Sequence, residues 1–135
     1  MKTEDAMQGG WSPSHSIAML LLATARAGTI APPPALLKRL LEQHQYGPAL
    51  RAEVVITAAA DELETHYRQG GLRGVIGALQ SHCRRLDLLT ESSEKSKIID
   101  AMTTVADAVT DTPDARRRVY AFPFAAAKVW KLDHT

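Results

Sequence analysis

The sequence contains a single cysteine, Cys83, and aromatic residues make up only 5% of its 135 residues. One cysteine cannot form an intrachain disulfide, so the fold must be held by packing, and a reducing compartment is expected. Sixteen Lys and Arg residues nearly cancel fifteen Asp and Glu residues, which gives a net charge of +1. This balance argues against a polyanion binder held by global charge, and no nucleic-acid partner is expected.

Long hydrophobic runs are also missing. The longest unbroken apolar run, Ile17 to Ala23, has seven residues, whereas a membrane-spanning helix needs about 20. The first ten residues are polar and lack the apolar core of a secretory signal. We therefore expect a cytoplasmic protein without a membrane span, and leave peripheral contact with a membrane open.

No stretch alternates polar and apolar residues as a half-buried strand does, whereas apolar residues recur at spacings of three and four. A hydrophobic fraction of 45% and a charged fraction of 23% are typical of one globular domain. The sequence therefore predicts an all-α fold, with a tail over 1–12 and a single domain over 13–135. We expect a bundle of about six or seven helices, with the first and fifth packed centrally.

Prolines, glycines and capping residues predict where these helices begin and end. Helix starts are predicted at 12–13 and 112–113, where a Ser or Thr N-cap precedes a proline. Pro34 is expected to open the second helix, and a serine at 92 or 93 to cap the fifth. Gly70-Gly71 is expected to separate the third and fourth helices, and Pro123 to kink or split the last one.

The sequence contains a weak internal repeat, which appears when it is aligned with itself at an offset of 80 positions. Thr24 then falls on Thr104, and Pro33 falls on Pro113. In both segments an apolar helix ends, a short loop follows, and a proline opens a second helix. The repeat predicts two copies of one helix–loop–helix unit, over 23–40 and 103–120.

Asp107, Asp111 and Asp114 are the candidate metal ligands, because they are spaced four and three residues apart across the second of these loops. Calcium and magnesium bind carboxylate oxygens that converge from a bent backbone. The candidate ion is Ca²⁺, Mg²⁺ or Zn²⁺, and no other cofactor is expected. A second interpretation stays open, in which Asp114 interacts with a helix dipole and the other two carboxylates are solvated.

The same residues carry a family resemblance. Ala106-Asp107-Ala108, followed by Asp111 and Asp114, resembles the Ala-Asp-Gly turn and the later acidic positions of the tellurite-resistance TerB-like family. The first unit, Ala25-Arg26-Ala27-Gly28-Thr29-Ile30, keeps the glycine and isoleucine but has Ala27 at the aspartate position. The resemblance covers about 17–132. It implies a non-enzymatic, all-helical stress-response or interaction module with a divalent cation at the three aspartates.

Two other functions stay open at this point. Glu62 and His66 are four residues apart on a predicted helix, so they share a face and could form the acid–base pair of a small hydrolytic enzyme. An ordinary surface pair is the simpler interpretation, and we assign no catalytic residue. A metal-free adaptor or dimerisation domain is the other alternative, because alanine runs at 58–60 and 125–127 allow helices to approach closely. A protein partner or self-association is therefore expected.

The remaining histidines and the cysteine give no site. His15, His44 and His134 have no metal-ligand spacing in the sequence. Adjacent residues His82 and Cys83 point about 100° apart on a helix, which disfavours a Cys–His nucleophile. Cys83 also lies on an apolar stripe, where a buried and unreactive thiol is expected.

Overall fold

The computed structural model describes residues 12–44 and 52–132. These ranges contain five α-helices and no strand, so the all-α class is confirmed. The helices are α1 (Pro13–Arg26), α2 (Pro34–Glu42), α3 (Ala52–Asp87), α4 (Ser92–Ala108) and α5 (Pro113–Trp130). The described part therefore has five elements where six or seven helices were expected, because α3 joins the predicted third and fourth helices across a kink. The predicted break at Gly47-Pro48, Trp11 and His134 lie outside the described residues.

The long helix α3 folds back on itself at Gly71, whose φ of 62° and ψ of −149° are not helical. A straight helix would separate Glu62 and His82, 20 residues apart, by about 30 Å. Instead, Glu62 Oε2 and His82 Nε2 are 2.9 Å apart. Residues 52–70 and 72–87 are therefore two arms of a helical hairpin, which we call the first and second arm of α3. The sequence located the break between the third and fourth predicted helices correctly at Gly70-Gly71, but it did not predict the reversal.

Two helix starts follow the sequence prediction closely. The Ser12 hydroxyl accepts a hydrogen bond from the His15 N–H at 3.1 Å, and the Thr112 hydroxyl accepts one from the Ala115 N–H at 3.1 Å. In both helices a proline occupies the first turn, where its missing N–H needs no partner. Pro34 likewise opens α2. These caps fix the N-terminal turn of α1, which carries His15.

One expectation about helix ends was wrong, and the predicted split at Pro123 does not occur. Ser92 is the first residue of α4 rather than its cap, and Glu91 precedes it without a side-chain capping bond. α5 runs through Pro123 without splitting. Pro123 and the adjacent Phe122 are both buried in the core. Tertiary packing of this kind provides most of the stability of a helix in a protein, and it maintains α5 across the missing hydrogen bond.

α1 lies at the centre of the bundle and contacts each of the other four helices. Ile17, Met19, Leu20 and Ala23 have no exposed surface. Cys83 on the second arm of α3 is equally buried, and burial raises the pKa of its thiol to about 12, as expected for an unreactive cysteine. Within the described ranges, none of the helices has the length and apolar character needed to cross a membrane.

The α1–α2 loop packs against the α4–α5 loop. The backbone N–H groups of Thr29 and Ile30 both donate to the Val109 carbonyl, at 2.9 and 3.0 Å. A Cβ atom at Gly28 would lie 2.4 Å from Val109 Cγ2, so only glycine allows this approach. The loops of the two helix–loop–helix units therefore meet, and Thr29 and Val109 are 80 residues apart in the sequence.

Candidate metal centre

Three ionisable side chains converge where the start of α1 meets both arms of α3. They are His15 from α1, Glu62 from the first arm and His82 from the second arm, and their ligand atoms all lie within 4.8 Å of one another. Among the described residues, this is the one group of three or more His, Cys, Asp or Glu side chains that converges in this way. We call it the His–Glu–His cluster.

The Glu62 carboxylate is the centre of the cluster. Its Oε1 atom accepts a hydrogen bond from His15 Nε2 at 2.7 Å, and its Oε2 atom accepts one from His82 Nε2 at 2.9 Å. His66 Nε2 lies 3.3 Å from the same Oε2 atom. His15 and His82 are buried, whereas the side chains of Glu62 and His66 are each 35% exposed. Solvent therefore reaches the cluster from the side of Glu62 and His66.

Ser16 orients one of the buried imidazoles. Its hydroxyl lies 2.7 Å from His82 Nδ1, and the residue has no exposed surface. A hydroxyl can donate or accept, so it can pair with either neutral form of the ring. While Nε2–H donates to Glu62, Nδ1 accepts from the Ser16 hydroxyl. In the other neutral form, Nδ1–H donates to Ser16 and the Nε2 lone pair is available to a metal. Metal-ligating histidines usually have their second ring nitrogen held by such a partner.

The cluster shifts the acidity of its members. Burial alone raises the pKa of Glu62, but hydrogen bonds from His82 and His15 and their charges outweigh it and lower that pKa from 4.5 to about 2. Burial lowers the pKa of His82, and the nearby carboxylate offsets this only in part. The arrangement therefore favours an ionised carboxylate beside a neutral imidazole, which are the protonation states that bind metal.

One buried polar atom in the cluster has no protein partner. His15 Nδ1 has no hydrogen-bond partner, although His15 is only 6% exposed. Buried polar atoms in folded proteins are nearly always paired, and exceptions often lie at functional sites. With Nε2–H donating to Glu62, Nδ1 carries an unused lone pair. A metal bound at Nε2 would leave Nδ1 unpaired, so His15 lacks the support that Ser16 gives to His82.

Acid is expected to destabilise the metal-free protein in two steps. Because the folded-state pKa of His82 is lowered, the unfolded chain takes up the proton first as the pH falls below about 6.5. Glu62 adds stability above its unfolded value of 4.5, and this is lost as the pH falls towards about 2. Thermal melts in chelator should therefore give a midpoint that falls from pH 7 to pH 5. His82→Gln should flatten that part of the profile, and an unchanged slope would contradict this assignment.

Ser16, His82 and Glu62 also have the hydrogen-bond order of a hydrolase triad, with hydroxyl, imidazole and carboxylate in sequence. In such a triad the hydroxyl oxygen must reach the substrate carbonyl. Ser16 is completely buried, so its hydroxyl faces the protein interior. Ser16 therefore serves to position His82 and is not placed to act as a nucleophile.

The three predicted aspartates lie elsewhere and are engaged separately. Asp107 accepts a hydrogen bond from Tyr120 Oη at 2.7 Å, which raises the pKa of that phenol. Asp111 accepts one from Thr29 Oγ1 at 3.3 Å, and Asp114 lies 3.5 Å from Arg117 Nη1 in the first turn of α5. All three are exposed and are not among the described side chains that converge. A metal at these aspartates stays a prediction.

Sequence reasoning found Glu62 and His66 but missed His15 and His82. The spacing prediction was confirmed, since Glu62 and His66 do contact each other across one helical turn. His15 is 47 residues from Glu62, and His82 is 20 residues from it. The predicted helix break at Gly70-Gly71 was the one available signal that His82 could return to Glu62.

Comparisons with known proteins found no match among family models, curated proteins or solved structures. Membership of the TerB-like family therefore stays a prediction. Any function must be inferred from the geometry of the cluster.

Proposed function

We propose that this protein is a non-enzymatic helical module that binds one divalent d-block ion in the His–Glu–His cluster, with Zn²⁺ the best fit. The convergence of three ligand atoms within 4.8 Å carries this proposal. Two imidazole nitrogens and one carboxylate form a common donor set for Zn²⁺. Ca²⁺ and Mg²⁺ prefer sites made of oxygen atoms.

The spacing of the donor atoms supports a small tetrahedral ion. Ligands about 2.1 Å from Zn²⁺ in a tetrahedral site are about 3.4 Å from one another. The His15 imidazole lies 2.7 Å from Glu62 Oε1 and the His82 imidazole 2.9 Å from Glu62 Oε2, which are hydrogen-bond lengths. An ion between the imidazoles and the carboxylate would lengthen each contact by about half an ångström, a change that side-chain rotation could supply. The Ser16 hydroxyl would keep His82 oriented during this change.

The ion would join three helical segments that are distant in the sequence. His15 lies in the first turns of α1, and Glu62 and His82 lie on opposite arms of the α3 hairpin. A metal bound by all three would hold the hairpin closed against the central helix. Because the unfolded chain lacks this preformed site, the free energy of metal binding would add to the stability of the fold.

Two observations support a binding role over the Glu62–His66 acid–base pair considered from the sequence. A general base works best with a pKa near the working pH, whereas the pKa of Glu62 is lowered to about 2. The hydroxyl that completes the triad-like arrangement belongs to Ser16, which is buried. Both features suit a carboxylate that stays ionised as a ligand.

A TerB-like stress-response or interaction module is the second candidate. The contact between the two interhelical loops, through Thr29, Ile30 and Val109, favours it, because two duplicated helix–loop–helix units would meet in this way. In that case the ion would bind at Asp107, Asp111 and Asp114. A protein partner or self-association belongs to this proposal, whereas a metal-free adaptor or dimerisation domain stays a separate alternative.

Metal titration distinguishes the two candidates. In equilibrium dialysis against Zn²⁺, the wild-type chain should bind one ion. His82→Gln should weaken binding by at least about 100-fold, because loss of a direct ligand should cost more than loss of a supporting hydrogen bond. The matched control is His44→Gln, since His44 is also buried and pairs with a carboxylate, Glu94, at 2.7 Å. This control should bind Zn²⁺ as the wild type does.

A third variant tests the aspartates directly. The triple substitution of Asp107, Asp111 and Asp114 by Asn should leave Zn²⁺ binding unchanged if the His–Glu–His cluster holds the ion. Loss of binding in this variant, with binding retained in His82→Gln, would favour the TerB-like site instead. No binding by the wild type would contradict both metal sites. Circular dichroism of each variant checks that the helices are intact.

A further inference from the structure

We propose that His66 is the fourth ligand of the metal centre and closes it on its solvent side. The inference rests on the proposed function, because it concerns the same ion. Structural Zn²⁺ sites use four protein ligands, whereas catalytic sites keep one position for water or substrate. The His–Glu–His cluster supplies three ligands, so the identity of the fourth decides which kind of site this is.

The position of His66 suits this role. Its Nε2 atom is 3.3 Å from Glu62 Oε2, close to the separation of about 3.4 Å between two ligands of a tetrahedral Zn²⁺. Glu62 and His66 lie one turn apart on the first arm of α3, so both side chains project on one side of that arm. The same Oε2 atom also contacts His82. One oxygen of the Glu62 carboxylate is therefore close to both the half-exposed imidazole of His66 and the buried imidazole of His82.

The ring of His66 must still turn to reach the ion, because it lies outside the group within 4.8 Å. Its side chain is 35% exposed, and an exposed ring can change rotamer without disturbing the core. His15 and His82, by contrast, are buried and have less freedom to move. We therefore expect the ion to meet His66 and Glu62 at the surface first and the buried imidazoles afterwards.

The backbone that carries His66 is held firmly against the other arm. A Cβ atom at Gly74 would lie 2.5 Å from the His66 carbonyl oxygen, so the second arm comes close enough only because residue 74 is glycine. The second arm also carries His82. The spacing of the two arms beside His66 is thus set by direct packing of their backbones, and His66 reaches the ion by a change of side-chain rotamer.

Cobalt provides the test, because Co²⁺ replaces Zn²⁺ and its visible absorption reports the number and type of its ligands. The wild-type chain titrated with Co²⁺ should give the intense bands of a four-coordinate ion. His66→Ala should still bind Co²⁺, about 10 to 100-fold more weakly, with weaker and shifted bands because water takes the fourth position. Added imidazole should restore the band intensity in this variant. Thr65→Ala, an exposed neighbour on the same arm, is the control and should match the wild type.

The possible failures are distinguishable. If His66→Ala binds Co²⁺ with the affinity and spectrum of the wild type, His66 is not a ligand, and the three-residue site stands alone. If imidazole leaves the spectrum of His66→Ala unchanged, the fourth position is not one that an imidazole fills, and the inference is wrong. If the wild type binds neither Co²⁺ nor Zn²⁺, the metal function itself fails and the inference with it.

Discussion

Zn²⁺ at 100 times its dissociation constant is expected to raise the Tm of the wild-type protein by roughly 10 °C. A ligand that binds only the folded state at this excess stabilises it by about 2.7 kcal/mol. For a chain of 135 residues, each kcal/mol corresponds to roughly 3 to 5 °C in Tm. Scanning calorimetry with Zn²⁺ and with chelator measures the difference directly.

Glu62→Gln should abolish this shift. The substitution keeps the size of the side chain but removes the charge that neutralises the ion, and an amide is a weaker ligand than a carboxylate. Glu64→Gln is the matched control, because Glu64 lies on the same arm and pairs with Arg26 at 3.1 Å, outside the cluster. It should keep the full shift. An equal shift in both variants would mean that Zn²⁺ stabilises the fold from another place.

Gly71→Ala should lower the free energy of unfolding by about 1 to 3 kcal/mol. With φ of 62° and ψ of −149°, Gly71 has a backbone conformation that is strained for any residue with a Cβ atom. No atom lies within 4 Å of where its Cβ would be, so the expected cost comes from the backbone and not from a clash. Urea denaturation of the metal-free protein measures it.

Gly77→Ala is the control for this prediction. Gly77 lies within the second arm of α3, it has no positive φ, and a Cβ atom placed there would also have no neighbour within 4 Å. Alanine there should stabilise the protein by up to about 1 kcal/mol, because glycine has a low helix propensity. If the two substitutions change the free energy of unfolding equally, the backbone conformation at Gly71 carries no cost for alanine, and the prediction is wrong. The Zn²⁺-dependent shift in Tm should persist in both variants as long as the hairpin forms.

The local rules of helix capping predicted much of the fold. Ser12 and Thr112 cap their helices because each hydroxyl accepts a free N–H of the first turn, and the proline that follows suits that turn. These local signals can be read without tertiary structure. The helix break at Gly70-Gly71 was also predictable, since two adjacent glycines weaken any helix. The continuity of α5 through Pro123 could not be predicted, because it depends on the packing of a buried surface.

The candidate site was harder to predict because its ligands come from three separate segments. His15 has no acidic or histidine neighbour at a ligand spacing in its own helix, and it reaches Glu62 only when α1 packs against α3. The aspartates at 107, 111 and 114 attracted the metal prediction because they are close in sequence. In the structure each has a different nearby partner, which sequence spacing does not reveal.

The α3 hairpin also has a consequence for the order of folding. Glu62 and His82 meet by closing 20 residues, whereas His15 joins Glu62 across 47. The longer closure costs about 0.8 kcal/mol more in chain entropy, so the two arms are expected to pair before α1 docks. Glu62, His66 and His82 would then be together early, and an ion captured by this nascent hairpin would speed the refolding of the whole chain.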